Sequence, residues 1–345
     1  MYVLSTARTV RRGFTLVEML VVIAIIGILA GLISAAAVIA IRKANVTRIV
    51  TEFSQIELAL TEYKKKYGEY PPDGTDFGTN VDPVTRIPVS FQRHFSRVFP
   101  NADLPTELSL LATNYGYACG NPSQMQAFFS NYTPATALVF WLGGMQEANY
   151  SNTPTKNAQS RFVGFSADRV HPLSNNGSSR EPVWFEFDVT RISDPSGATV
   201  SNTIFRRYLG NSSVPEPYVY FRAELNQRTW EYTTRVVGTP VPVVKQYPPN
   251  TTSDRTVKAY FDSTQSTATM PGAWVHPTSY QLLFCGFDNT FGTGNWYPTG
   301  KMLAVPRLPG PPSPYQARFL FFDYVAANDD DITNFAGGTV GDKKP

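Results

Sequence analysis

Apolar and polar positions divide the chain into two regimes. From Met19 to Ile41 no charged side chain interrupts an apolar run. A helix of that length crosses about 30 Å of hydrocarbon. At Arg42 the composition changes but the helical period continues. Val46, Ile49, Val50, Phe53, Ile56, Leu60, Tyr63 and Tyr67 recur at three- and four-residue steps, with Thr, Glu, Gln and Lys between them. That stripe predicts an amphipathic helix. Gly68 supplies a C-terminal stop and Pro71–Pro72 forbids continuation. The expectation is one helix over residues 14–67, with residues 19–41 transmembrane and the second half suited to a protein surface. Lys64, Lys65 and Lys66 read as last-turn cations that complement the helix dipole.

Past Gly68 the pattern shortens. Asp103–Ala112 and Ala135–Trp141 predict short helices. Residues 182–192, 217–225, 229–237, 256–262, 280–288 and 317–324 predict strands, being rich in β-branched and aromatic residues and bounded by turn residues. Pro-rich connectors occupy 239–253 and 305–314. There is no internal repeat, and residues 68–345 read as one globular domain. Composition agrees: 17% charged, 13% aromatic, 27 Pro and 24 Gly suit a loop-rich β body. The expected class is α+β, a long N-terminal helix packed on an antiparallel β-sheet with large loop-rich insertions.

Charge sharpens the orientation. The formal balance is +3, from 30 basic and 27 acidic residues. Arg8, Arg11 and Arg12 account for all of that excess, and no acidic residue precedes Phe14. This favours a cytoplasmic N-terminus and a body across the membrane. It gives no reason to expect nucleic acid. A body outside the cytoplasm permits a disulfide between Cys119 and Cys285, although two buried thiols account for them equally.

One residue fits neither regime. Glu18 puts a carboxylate at the edge of the span, which a plain single-pass anchor leaves unexplained. A secretory signal peptide would be cut after Ala37, yet its apolar run is too long and continues through Val38–Ile41. "RRGFTLVEMLVVIAIIGILAG" resembles the class III prepilin signature of type IV pilins and type II secretion pseudopilins. The resemblance implies that residues 1–13 are a leader, that a prepilin peptidase cuts between Gly13 and Phe14, and that the new Phe14 amine is methylated. It also implies that Glu18 pairs with the Phe14 amine of an adjoining subunit. Elementary electrostatics says only that a carboxylate leaving water there needs a cation. Such a pair would set register, as a polar residue does in a coiled coil. Gly27 and Gly31 form a GxxxG that permits close helix approach.

"ALTEYKKKYGEYPPDG" resembles the segment after the helix in major pseudopilins. "FCGFDNTFGTG" and "NDDDITNF" resemble the two halves of that branch's calcium-binding loop. Gly286, Asp288, Gly292 and Thr293 match the first half, and Asp331, Ile332, Asn334 and Phe335 match the second. Asp288, Asp330 and Asp331 are therefore the expected Ca²⁺ ligands, in keeping with that ion's demand for oxygen. The alternative is a solvated acidic turn.

Catalytic motifs do not appear. His94, His171 and His276 lie in no ligand spacing, and there is no CxxC, GxSxG, P-loop or dinucleotide fingerprint. The expected function is structural, not enzymatic: a pseudopilus subunit of a type II secretion-like system, anchored in the bacterial inner membrane with its body in the periplasm. Its partners would be the prepilin peptidase, other copies of itself, minor pseudopilins and the inner-membrane assembly platform. The alternatives are a surface type IV pilin for adhesion, motility or DNA uptake, and a membrane-anchored periplasmic carbohydrate-binding or enzymatic protein.

Overall fold

The structure is a computed structural model of the chain. It describes residues 15–77, 80–118, 120–147, 160–174, 179–197, 203–211, 214–226, 229–234, 243–247, 257–262, 273–286, 332–334 and 338–339. Helix α1 runs Leu16–Tyr67. The chain separates into two compact units inside this helix, Met1–Arg48 and Ile49–Pro345. In the first unit the apolar side chains face outward; Leu16 and Ile33 are 80% and 66% exposed. Among the described residues, α1 is the one helix long and apolar enough to cross a membrane.

In the second unit the predicted stripe is the buried face. Ile49, Phe53, Ile56, Leu60 and Tyr63 are all at most 2% exposed. At the end of α1, Gly68 adopts φ +82° and its N–H donates to the Lys64 carbonyl at 2.7 Å. That left-handed turn is open to glycine at no steric cost.

Among the described residues four short helices follow: α2 (Val89–Val98), α3 (Leu104–Asn114), α4 (Pro122–Phe129) and α5 (Ala137–Gly143). The predicted helices correspond to α3 and α5. Helix α2 buries Phe91, His94 and Phe95 on one face. Helix α4 opens on Pro122, and the Asn121 side chain accepts the Ser123 N–H at 3.0 Å. These helices build an aromatic core. Phe91 lies 5.1 Å from the rings of both Phe129 and Tyr132 and 5.3 Å from Trp141. Such edge-on pairs add to what area burial alone supplies.

The largest sheet is antiparallel and four-stranded, in the order Gly338–Thr339, Ile332–Thr333, Tyr280–Phe284, Val219–Arg222. Leu282 faces Tyr220 and Phe284 faces Ile332 across it. A three-stranded sheet joins Ile192–Ser193, Arg207–Asn211 and Val214–Pro217. The other sheets among the described residues are two-stranded. The α+β class expected from the sequence is what is found.

The strand predicted at 182–192 is a correction. It pairs only at its end, from Ile192. Its aromatic residues serve lateral packing instead. Trp184 sits edge-on to Tyr63 and Tyr67 at 5.5 and 5.9 Å, and Phe185 lies 4.8 Å from Phe187. Asp188 then caps a 3₁₀ turn, Val189–Arg191. Strand formation at 256–262 is split into Val257–Lys258 and Phe261–Asp262. The strand predicted at 317–324 lies outside the described residues.

Candidate functional site

At the start of α1, Thr15 and Glu18 form a reciprocal cap. The Thr15 N–H and hydroxyl donate to the same Glu18 carboxylate oxygen at 2.8 and 2.9 Å. The Glu18 N–H returns a bond to Thr15 Oγ1 at 3.2 Å. This is the capping box written as Thr-x-x-Glu, which satisfies donors that the first turn leaves orphaned. Glu18 remains exposed, so its second carboxylate oxygen can meet a cation from outside.

The lower half of α1 is fastened by a different carboxylate. Glu52 receives both ends of the Arg191 guanidinium, at 2.8 and 2.9 Å. It also accepts the Tyr208 hydroxyl at 2.6 Å and the Tyr218 hydroxyl at 2.5 Å. Arg191 stacks over the Tyr208 ring at 4.3 Å and donates Nε–H to the Leu209 carbonyl at 2.7 Å. The pair is largely dry, with side-chain exposures of 6% for Arg191 and 13% for Glu52. Every lone pair in use has a donor, the condition under which a buried ion pair is tolerated.

The family model described as "Prokaryotic N-terminal methylation motif" matches residues 8–34. This chain is 37% identical over 70 residues to the "Fimbrial protein" of Neisseria meningitidis serogroup A / serotype 4A, covering 20% of this chain and 41% of the relative. It is 35% identical over 75 residues to the "Type IV major pilin protein PilE1" of Neisseria gonorrhoeae, covering 22% of this chain and 46% of the relative. Over its N-terminal fifth the chain is type IV pilin-like. It spans less than half the length of these curated relatives. No solved structure matches it.

In this pilin-like protein the segment leaving α1 is held by buried polar groups. Tyr220 and Tyr132 donate their hydroxyls to the carbonyls of Pro71 and Pro72 at 2.9 and 3.1 Å. The Asp73 carboxylate takes the Lys245 ammonium at 2.7 Å, the Arg222 N–H at 2.8 Å and the Thr75 hydroxyl at 2.7 Å. Gly74 adopts φ +74°, and a Cβ there would fall 2.7 Å from the Tyr132 carbonyl oxygen. The "YPPDG" stretch is therefore a built turn that sets where the body begins.

Beside it, Glu69, His94 and Tyr63 form a chain of hydrogen bonds. Nδ1 of His94 meets Glu69 at 2.8 Å and Nε2 meets the Tyr63 hydroxyl at 2.7 Å. Burial drives the His94 pKa down to about 4 against the opposing effect of its hydrogen bond to the Glu69 carboxylate. Burial pushes the Glu69 carboxyl up, but the His94 bond and the charges of Arg222 and Arg97 outweigh it and leave about 2. The imidazole is therefore neutral at pH 7, donating from Nδ1 to the carboxylate and accepting from Tyr63.

This arrangement predicts acid sensitivity. The unfolded chain binds the histidine proton near pH 6.5, the folded chain only near pH 4. Stability therefore falls as pH drops through that window, by on the order of 3 kcal/mol. Asp76 acts in the opposite sense. Burial raises its pKa to about 6 from 3.8, against a hydrogen bond from the Ser90 N–H. Its protonation favours the folded state as pH falls. Asp76→Asn removes that compensation, so its urea stability is expected to fall more steeply than wild type between pH 6 and 4. An unchanged slope contradicts the assignment.

The other predicted site residues divide as follows. Gly13, Phe14, Asp288, Asp330, Asp331 and Cys119 lie outside the described residues. Cys285 is fully buried at the end of the central strand. Ile332 is buried in the sheet. Asn334 accepts the Leu282 N–H at 2.9 Å and donates to Glu57 on α1 at 2.9 Å. Both have packing roles that the loop motif did not suggest. His171 binds Glu107 at 2.8 Å, while the His276 carbonyl accepts the Tyr232 hydroxyl at 2.7 Å. The three histidines thus serve separate contacts. Among the described residues no group of three His, Cys, Asp or Glu side chains could hold a metal. The clamp residues Glu52 and Arg191 were missed by sequence reasoning. The only available signal was a charge adjoining the buried Phe53 on the stripe's flank.

Proposed function

We propose that this protein is a structural subunit of a pilus-like filament, a pseudopilus of a type II secretion-like system. A prepilin peptidase removes residues 1–13 and methylates Phe14, and Glu18 then sets the register between neighbouring copies. The single observation carrying this reading is the motif at 8–34, whose residues from Leu16 onward belong to one 52-residue helix. The apolar half of that helix is exposed, and its other half is locked into a folded body. The three N-terminal arginines support a cytoplasmic start and a periplasmic body. Minor pseudopilins and an inner-membrane assembly platform are the further partners this role requires. The names of the similar Neisseria proteins favour a second reading, a surface type IV pilin.

The test is assembly. Co-expressed with a prepilin peptidase and an assembly platform, the full chain is expected to sediment as filaments; persistent monomers contradict the proposal. Filaments confined to the periplasm and needed for export support the secretion reading, whereas filaments shed from intact cells support the surface reading.

Calcium belongs to the secretion reading. It is supported by the pairing of Phe284 with Ile332, which sets the flanks of the two motif halves side by side. Chelation is expected to lower the melting temperature of the full chain, and Ca²⁺ but not Mg²⁺ to restore it. An unmoved melt removes the metal.

A further inference from the structure

Where Gly68 turns the chain out of α1, a cleft of about 300 Å³ opens between the last turn of α1, helix α2 and the segment around Arg222. Four cations line it: Lys64, Arg93, Arg97 and Arg222. Two carboxylates line it as well, and both are already engaged. Glu69 holds His94 at 2.8 Å and pairs with Arg97 at 3.5 Å. Glu224 takes the buried Lys245 ammonium at 3.0 Å and pairs with Arg222 at 3.7 Å. Lys245 in turn shares Asp73. Along the lining itself, four cations face two carboxylates, an excess of two positive charges.

Two guanidinium groups are underused. The Arg222 side chain is only 6% exposed. One of its amino groups donates to the Tyr70 carbonyl at 2.8 Å, but its Nε–H has no acceptor among the described residues. Leaving such a donor dry and unpaired is costly. Arg93 is exposed one turn before Arg97 on α2; its charge acts on Glu224 across the cleft without the close ion pair that Arg222 and Lys245 make with that carboxylate. Lys64 lies at the rim with its ammonium 4.4 Å from the centre of the Tyr70 ring. The surplus charge therefore sits in a concave, partly aromatic site rather than on an open face.

We propose that this cleft binds a small phosphomonoester. A dianionic phosphate matches the excess of two charges. The planar forks of Arg93 and Arg97 suit its oxygens, and Lys64 adds a point charge. The remainder of the ligand would lie against Tyr70 and Leu225. The volume is at the lower end of what small-ligand sites use. This activity is independent of filament assembly and goes beyond it.

Calorimetric titration of the full chain in non-ionic detergent tests the proposal, with inorganic phosphate, glycerol phosphate and a polyphosphate as probes. One saturable site per chain for the two small probes is expected, weakening in high salt. Arg93→Gln with Arg97→Gln is expected to weaken glycerol phosphate at least tenfold while the chain still unfolds cooperatively, with only a small fall in melting temperature from loss of the half-exposed Arg97–Glu69 pair. No saturable site for the small probes overturns the proposal, as does unchanged affinity in the double variant. Binding of polyphosphate alone also overturns it, because that outcome points to attraction between polymer and surface charge.

Discussion

Glu52→Ala is expected to destabilise the folded body by about 3–5 kcal/mol, the cost of breaking a buried ion pair from one side. The variant leaves the Arg191 guanidinium 6% exposed and without its counter-charge. It also strips acceptors from the Tyr208 and Tyr218 hydroxyls. Arg191 would keep the Leu209 carbonyl and the Tyr218 oxygen, which limits the damage. Glu52→Gln should fall between, since the amide keeps an accepting oxygen but no charge. Replacing both partners, as Glu52→Leu with Arg191→Met, should recover much of the loss. Urea unfolding of the full chain in detergent measures all three. A Glu52→Ala loss below about 1 kcal/mol would mean the clamp behaves as an exposed pair, and the account of how α1 is fastened would fail.

Glu18→Ala is expected to leave peptidase cleavage intact and to reduce filament yield more than tenfold. The reason lies in desolvation. In the proposed filament, packing the apolar halves of neighbouring helices together would remove the Phe14 amine from water, and an uncompensated buried cation is strongly disfavoured. The structure adds a competing explanation, because Glu18 also closes the capping box with Thr15. Losing a cap costs only about 0.5–2 kcal/mol of helix stability. Thr15→Ala separates the two roles, since it opens the cap but keeps the carboxylate. Its filament yield should stay well above that of Glu18→Ala. Equal loss in both variants would reduce Glu18 to a helix cap, and wild-type assembly of Glu18→Ala would remove the register role.

Helix α1 was legible because its signal is long and periodic. The stripe from Ile49 to Tyr63 is the face that is buried, and Gly68 ends the helix as its conformational freedom allows. Helix α4 was also readable in principle, since Asn121 followed by Pro122 is a start signal. Helix α2 was harder, because Val89, Phe91, Phe95 and Val98 suit a strand equally by propensity. The 182–192 segment misled for a related reason. Alternating aromatics mark a surface to be covered, whether the cover is a neighbouring strand or, as with Trp184, a helix. Period alone does not separate those cases.

The candidate site divides in the same way. The place of Glu18 in the first turn of α1 was readable from local sequence, whereas Gly13 and Phe14 lie outside the described residues. The Glu52 clamp was not, because its partners Arg191, Tyr208 and Tyr218 lie more than a hundred residues away. The cationic cleft likewise gathers α1, α2 and a distant sheet segment. Asn334, a residue of the loop motif, makes bonds that the motif did not announce: they hold the central strand to α1.

Mass spectrometry of the mature N-terminus in the native host tests the central claim most directly. A chain beginning at Phe14 with a methylated α-amine is predicted. A chain that retains Met1, or one that begins at Val38 after signal-peptide cleavage, would contradict it.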